Sequence, residues 1–280
     1  MNSLFLSSLL RDALLEDIRS GDVTTQAVVS PDASAVGYIR AKAPGIVAGL
    51  EVASEVFRQL DPTLILTPRV LEGHTVDATT ILLEVSGPAA SIVTAERVAL
   101  NFLGHLSGIA TLTRQFVDRV EPYSAHIIDT RKTTPGLRYL EKYAVRMGGG
   151  RNHRFALDDG VLLKENHLRM GGGIRQCIER ARSVTGHMLH IQVEVTTLEE
   201  LEQALAAGAD AVLLDNMALD TMEEAVRRVN RQIPIEASGG MNLERVEAVA
   251  ATGVDLISVG QLTHSAPALD VSLLLEGGDL

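Results

Sequence analysis

Seven basic side chains fall in one stretch of 26 residues, DTRKTTPGLRYLEKYAVRMGGGRNHR, from Asp129 to Arg154. They are Arg131, Lys132, Arg138, Lys142, Arg146, Arg151 and Arg154, out of 25 Lys and Arg in a chain of 280 residues. Only Asp129 and Glu141 oppose them, while Thr130, Thr133, Thr134 and the glycines 148–150 supply hydroxyls and exposed backbone N–H groups. In a protein of net charge −11 and pI ≈ 5.2, such a local cluster suits a small, strongly charged anion. Nucleic acid would need a broad basic face, which this composition argues against. Arg138, Lys142 and Arg146 are spaced i, i+4, i+8, so a solvated helix face is an equal reading for those three. Arg131, Lys132, His153 and Arg154 sit instead at loop junctions beside Gly and Thr, as binding residues do.

The groups of opposite character come from an internal repeat. At an offset of 45 residues, LEELEQALAAGADAVLLD, starting at Leu198, lies over LERVEAVAATGVDLISVG, starting at Leu243, without a gap. Each half reads as a helix, a Gly that ends it and a short buried strand. Thr197 with Glu200 makes a capping box, and Asn242 is the N-cap expected for the second helix. The same offset lays Glu194 over Gly239 and Asp215 over Gly260, all at the C-terminal ends of strands. One half therefore presents two carboxylates, suited to ribose hydroxyls or a hydrated Mg²⁺. The other presents Ser238-Gly239-Gly240 and Gly260-Gln261, turns of the kind that seat phosphate in barrels. A fitting ligand carries a phosphate at one end, a polyol or metal in the middle, and an acidic group facing the arginines. Lys164, in LLKENH, is expected to be buried along a strand, as an electrostatic clamp or a Schiff-base former. For His167 a structural role weighs as much as a catalytic one, and no His/Cys/Asp spacing suggests zinc.

These groups must be held by an α/β frame. Six apolar runs, AHIIDT, GVLLKEN, HIQVEV, AVLLDN, IPIEAS and DLISVG, alternate with helical segments and predict a parallel sheet. A barrel is preferred to a doubly wound sheet, because no GxGxxG opens the first βα turn. Before it, VGYIRAK, GIVAGLEV, TLILTPRV and TILLEVSG read as strands, interrupted by the helical GLEVASEVFRQLD. Pro88 opens a long helix with Ile92, Ala95, Ala99, Phe102, Leu103 and Leu106 as its buried stripe and a kink or break at Ser107-Gly108. Arg97 falls in this helix, where a surface arginine is the plain reading. The N-terminal MNSLFLSSLLRDALLED has no basic n-region and reads as an amphipathic helix, with Asp22-Val-Thr-Thr25 as a turn after it. Aromatics are only 3% and Trp is absent, so Ala, Val, Leu and Ile do the packing. The single cysteine, Cys177, shares an apolar stripe with Ile174, Ile178 and Ala181 and reads as a core thiol. A soluble, cytoplasmic protein is expected, without membrane spans.

Taken together, DTRKTTPGLR, KYAVR–GGG–NHR and LLKENH resemble the quinolinate phosphoribosyltransferase family, also called nicotinate-nucleotide pyrophosphorylase (carboxylating). GDVTT, APGIVAGLEVA, AERVALNFLGHLSGIAT, LLDNM, EASGGMN and VGQLTHSAPALDVSL extend the likeness, in order, over nearly the whole chain. Glu165 stands where the family usually has Asp, and Met147 where Cys is frequent. The resemblance implies an N-terminal α/β sandwich (residues 1–106), an open seven-stranded, TIM-like α/β barrel (107–266) and a tail (267–280) returning to the first domain. The seventh strand rests on the resemblance alone. It also implies a decarboxylating transferase of de novo NAD biosynthesis, in which quinolinate and 5-phosphoribosyl-1-pyrophosphate give nicotinate mononucleotide, pyrophosphate and CO₂ with Mg²⁺. Arg131, His153, Arg154 and Lys164 would then grip quinolinate, joined by Arg97 of a neighbouring subunit in a homodimer-based assembly. Thr130 and Lys132 would meet the pyrophosphate or carboxylate edge, and Glu194 and Asp215 would hold ribose and Mg²⁺. Ser238, Gly239, Gly240, Gly260, Gln261, Leu262 and His264 would seat the 5-phosphate. Alternatives are a nicotinate phosphoribosyltransferase or molybdate-operon paralogue on the same fold, a Schiff-base lyase using Lys164, and a phosphometabolite-binding protein.

Overall fold

The computed structural model describes residues 3–276. Helix α1 (Ser3–Ile18) buries Leu6, Leu10 and Leu14, one residue per turn, as an amphipathic helix must. Asp22, expected in a turn, instead caps a second helix, α2 (Val23–Val28), its carboxylate accepting the Thr25 N–H at 2.9 Å. Then come β1 (Ser34–Ala41), β2 (Gly45–Ile46), α3 (Leu50–Leu60), β3 (Ile65–Pro68), β4 (Thr75–Val76), β5 (Ile81–Pro88) and α4 (Ala89–Val120). The stretch GIVAGLEV forms only the two-residue β2, because Gly49, at φ 101°, turns the chain straight into α3.

Helix α4 is continuous for 32 residues, so Ser107-Gly108 breaks nothing. The pair serves close packing. The Ser107 hydroxyl exchanges hydrogen bonds with the backbone of Ala48, and a Cβ on Gly108 would run into the carbonyl of Pro267. The buried stripe is otherwise as read, except that Phe102 is half-buried.

The rest of the chain is β6 (His126–Ile128), α5 (Arg138–Met147), β7 (Val161–Leu163), α6 (Glu165–Gly171), α7 (Ile174–Val184), β8 (Ile191–Val195), α8 (Leu198–Ala206), β9 (Ala211–Asp215), α9 (Leu219–Val229), β10 (Ile235–Ser238), α10 (Val246–Ala251), β11 (Leu256–Ser258), α11 (Gln261–His264) and β12 (Val271–Glu276). Two compact units result. One takes the chain up to Leu112, Tyr139–Gly149 and the segment from Ala266; the other takes Thr113–Arg138 and Gly150–Ser265.

In the first unit an antiparallel sheet runs in the order β12-β1-β5-β3, with β2 and β4 forming a separate pair. The last strand pairs with the first, from Val36 opposite Glu276 to Ala41 opposite Val271. From Tyr139 on, helix α5 belongs to this unit, and it is no solvated basic face. Lys142 is 2% exposed, and the buried Glu141 meets His105 at 3.0 Å. Arg146 alone of the three points outward, over the ring of Tyr143.

The second unit is a parallel sheet in the order β6-β11-β10-β9-β8-β7. From β7 to β11 each strand pairs with its successor, and β11 then meets the first strand, β6. A doubly wound sheet would reverse its order partway; this one advances in one direction as a barrel does. On the other edge of β6, Arg151 makes an isolated parallel bridge with Ile128, and among the described residues this bridge stands where a seventh strand would. Among the described residues no ladder joins β6 to β7, so the barrel is open.

The repeat has a common physical basis. Asp210 accepts the N–H of Ile191, the first residue of β8, at 2.7 Å, and Asp255 does the same for Ile235, the first of β10, at 2.8 Å. Each aspartate fixes where the neighbouring strand starts. Thr197 caps α8 by accepting the Glu200 N–H. The Glu200 carboxylate reaches back to Thr196 and not to Thr197, so the expected capping box is only half made. Asn242 caps the turn ahead of α10 by accepting from Glu244 and Arg245. Cys177 is buried beside Ile174 and Ile178. Among the described residues no helix is long and apolar enough to cross a membrane.

Candidate active site

Strand alternation aims the acids. Along β8, Ile191, Val193 and Val195 are buried, while Gln192 and Glu194 point to the opposite face. Parallel register places Glu194 beside Leu213 of β9 and Leu213 beside Glu236 of β10. Two residues on, on the same face, Asp215 stands beside Ser238. Three carboxylates thus share one face near the C-terminal strand ends, where barrels keep their chemistry.

These groups line one cavity of about 540 Å³. It brings together Thr130, Arg131, Lys132, His153, Arg154, Lys164, Glu194, Asp215, Ser238, Gly239 and Gly240, all singled out from sequence. Glu236, Asn216, Ser258, Leu162 and Leu213 also line it and were not singled out. Glu236 carried a signal, since an acid inside the apolar run IPIEAS needs a partner when buried. Its partners are Gln192, whose Nε2–H it accepts at 2.8 Å, and His153, whose Nε2 lies at 3.3 Å.

Lys164 is not buried. Strand β7 ends at Leu163, so Lys164 precedes α6 at the rim, and its side chain is 49% exposed. Its Nζ donates to Glu194 Oε2 at 2.9 Å. His167 accepts the Lys164 backbone N–H at 3.0 Å and so closes the start of α6.

The opposite wall hangs on Asp129, which is fully buried at the end of β6. Its oxygens accept the His153 N–H at 2.8 Å and the Asn152 side chain at 2.6 Å, which pins the Asn152-His153-Arg154 segment. Arg138 ties the neighbouring loop by donating to Thr133 Oγ1 and to the Phe155 carbonyl. Burial first, and then the charge of Arg131, hold the Arg154 guanidinium below its usual pKa. Two guanidiniums that repel each other form a ready seat for a dianion.

Of the residues expected at the phosphate, Gly239 has φ +94° and no room for a Cβ, which would strike the Asn216 side chain. Gly260 lies outside the cavity lining but adjoins it: a Cβ there would stand 3.0 Å from Lys132 Cδ and 3.2 Å from His264 Nε2. Gln261 bonds the Met241 carbonyl at 3.0 Å, and the Leu262 side chain is fully buried core, leaving only its backbone for a ligand. Arg97 is exposed on α4 in the other compact unit.

Fold and site define a class: an α/β-barrel protein with a cationic wall facing carboxylates at the strand ends. The profile described as quinolinate phosphoribosyl transferase, N-terminal domain, matches residues 22–107, and that of the C-terminal domain matches 109–274. A Bacillus subtilis protein described as probable nicotinate-nucleotide pyrophosphorylase (carboxylating) is 45% identical over 273 residues, covering 98% of this chain and 94% of the relative. A Mycobacterium leprae protein described as nicotinate-nucleotide pyrophosphorylase (carboxylating) is 43% identical, covering 94% and 95%. The solved nicotinate-nucleotide pyrophosphorylase of Francisella tularensis superposes with a TM-score of 0.95 at 39% identity, covering 99% of this chain and 98% of that one. The chain belongs to the quinolinate phosphoribosyltransferase family.

Proposed function

We propose that this chain joins quinolinate to 5-phosphoribosyl-1-pyrophosphate, giving nicotinate mononucleotide, pyrophosphate and CO₂, a step of de novo NAD biosynthesis. The observation that carries the reading is the apposition, in one cavity, of Arg131, Arg154 and Lys164 with Glu194 and Asp215. A dicarboxylate fits the cations, and a sugar developing positive charge fits the acids.

In the reaction the pyridine nitrogen gives its lone pair to C1 of the ribose, and the C1–O bond breaks with its electrons leaving on pyrophosphate. Glu194 and Asp215 stabilise the oxocarbenium-like centre between these events, and Lys132 favours the leaving group. The ring nitrogen is then quaternary. When the C2–carboxylate bond breaks, the electron pair left on C2 is held by that nitrogen, CO₂ departs, and a proton from water closes C2. Lys164 acts as a clamp on a substrate carboxylate. Its Nζ is engaged as the charged partner of Glu194, whereas Schiff-base lysines lie in desolvated pockets or against other cations. Thr130 and His153 complete the substrate wall, and Ser238, Gly239, Gly240, Gly260, Gln261, the Leu262 backbone and His264 seat the 5-phosphate.

Mg²⁺ binds through one or two carboxylates plus substrate phosphates and keeps several waters. Two carboxylates in an open cavity suit that habit, so Glu194 and Asp215 would hold it, and it would neutralise charge on the leaving pyrophosphate. The assembly is a homodimer, or built from homodimers, with Arg97 serving the neighbouring site, and the compartment is the cytoplasm. Incubation with phosphoribosyl pyrophosphate and Mg²⁺ should yield nicotinate mononucleotide from quinolinate and none from nicotinate. Efficient use of nicotinate would instead favour the non-decarboxylating relative.

A further inference from the structure

One carboxylate in the cavity has no task in the scheme above. Glu236 lies in β10, is 2% exposed, and turns Oε2 toward both Gln192 Nε2 and His153 Nε2. On the far side of the imidazole, Nδ1 accepts the backbone N–H of Arg154 at 2.6 Å. A neutral imidazole has one donor and one acceptor nitrogen. The Arg154 N–H therefore requires the lone pair on Nδ1, which leaves the proton on Nε2, facing the carboxylate. Both ring nitrogens are then engaged within the protein, and His153 becomes a strut between β10 and Arg154.

Arg154 needs such a strut. Its guanidinium is partly desolvated and lies near the like charge of Arg131, with Asp159 as the opposing acid. A cation so placed is pushed toward solvent until an anion arrives. Its Nη1 is tied to the Gly160 carbonyl at 2.8 Å, and its backbone N–H is tied to His153.

We infer that Glu236 is a positioning residue: by fixing the Nε2–H tautomer of His153 it sets Arg154 in place for the substrate dicarboxylate. The inference rests on quinolinate being the substrate. It also makes His153 a support of the cationic wall, with no proton to give the ligand.

The test compares Glu236→Leu with Glu236→Gln. Leucine leaves Nε2–H without an acceptor, whereas glutamine can still place its amide oxygen where Oε2 stands, accepting from both Gln192 Nε2 and His153 Nε2. Imidazole ¹⁵N spectra, with His153 assigned by comparison with His153→Gln, should show protonated Nε2 and unprotonated Nδ1 in the wild type and in Glu236→Gln. In Glu236→Leu that pattern should be lost. Quinolinate affinity by isothermal titration should fall about 10- to 100-fold in Glu236→Leu, remain mostly intact in Glu236→Gln, and phosphoribosyl pyrophosphate affinity should hardly move. The opposite tautomer in the wild type, or equal loss of both ligands, overturns the inference. So does a Glu236→Gln protein as impaired as Glu236→Leu, because the negative charge itself would then be what matters. Should Glu236→Leu not fold, the wild-type spectrum and Glu236→Gln still decide. If the wild type binds no quinolinate, the substrate reading fails, while the spectrum still reports on the strut.

Discussion

At the scale of single residues, the two guanidiniums are not equivalent. Arg154 is half-buried and anchored, whereas Arg131 is exposed. Arg154→Ala should therefore weaken quinolinate binding by about 2–5 kcal/mol, the range for truncating one member of a desolvated charge pair. Arg131→Ala should cost about 1 kcal/mol, as solvent-screened pairs do. Asp215→Ala should leave quinolinate nearly untouched and weaken phosphoribosyl pyrophosphate and its Mg²⁺ dependence. Titration of each ligand alone checks all three, and reversed sensitivities would exchange the two ends of the site. Glu194, Asp215 and the glycines were legible because they close apolar runs that read as strands, and Arg131, Lys132, His153 and Arg154 because they sit at loop junctions beside Gly and Thr. Lys164 was misplaced because the strand stops one residue short of it, at Leu163, which turns a buried lysine into a rim lysine. Glu236, Gln192 and Asp129 were passed over because their meaning lies in partners far off in sequence, such as the His153–Glu236 contact.

At the scale of elements, the long helix α4 shows how packing overrides local propensity. Replacing Gly108 by Ala would gain about 1 kcal/mol of helix propensity in isolation. The added methyl would meet the backbone of Pro267 and Ala268, which cannot swing aside. Gly108→Ala should therefore be net destabilising, by about 1–3 kcal/mol, seen as a lower midpoint in denaturant. Ser-Gly reads as a helix breaker in sequence, and the segment from Pro267 that demands the glycine lies far along the chain. The same scale holds an acid-sensitive joint between α3 and α4. Asp61, just after α3, accepts from the Thr63 hydroxyl at 2.6 Å and from Ser91 of α4 at 2.7 Å. Those bonds, Thr63 first, hold its folded-state pKa below the ordinary 3.8. As pH falls below 3.8 the unfolded chain takes up the proton first, so this contribution is present above that pH and lost below it. Melting temperature should drop on acidification through that window more steeply in the wild type than in Asp61→Asn. Parallel curves would remove Asp61 from the acid response.

At the scale of the whole molecule, the offset repeat left a barrel and a doubly wound sheet both open, the absence of a dinucleotide fingerprint favoured the barrel, and the sheet order β6-β11-β10-β9-β8-β7 is a barrel's. Sequence did not show the seventh strand, which among the described residues is the single bridge at Arg151 and leaves no apolar run to read. The role proposed for Arg97 also belongs here, since its own helix gives it no ligand. If it serves a neighbouring subunit, Arg97→Ala and Lys164→Ala homodimers should each be nearly inactive. Unfolding and refolding them together should restore about a quarter of wild-type activity, because half the dimers are hybrids with one intact site of two. No recovery, with exchange verified by native mass spectrometry, would return Arg97 to the surface. The central claim, that one cavity couples phosphoribosyl transfer to loss of the C2 carboxylate, is met most directly by quinolinate carrying ¹³C in that carboxylate. With phosphoribosyl pyrophosphate and Mg²⁺, labelled CO₂ and pyrophosphate should appear in equal amounts, and neither should form when either substrate is left out. Pyrophosphate without labelled CO₂, or labelled CO₂ without phosphoribosyl pyrophosphate, would contradict it.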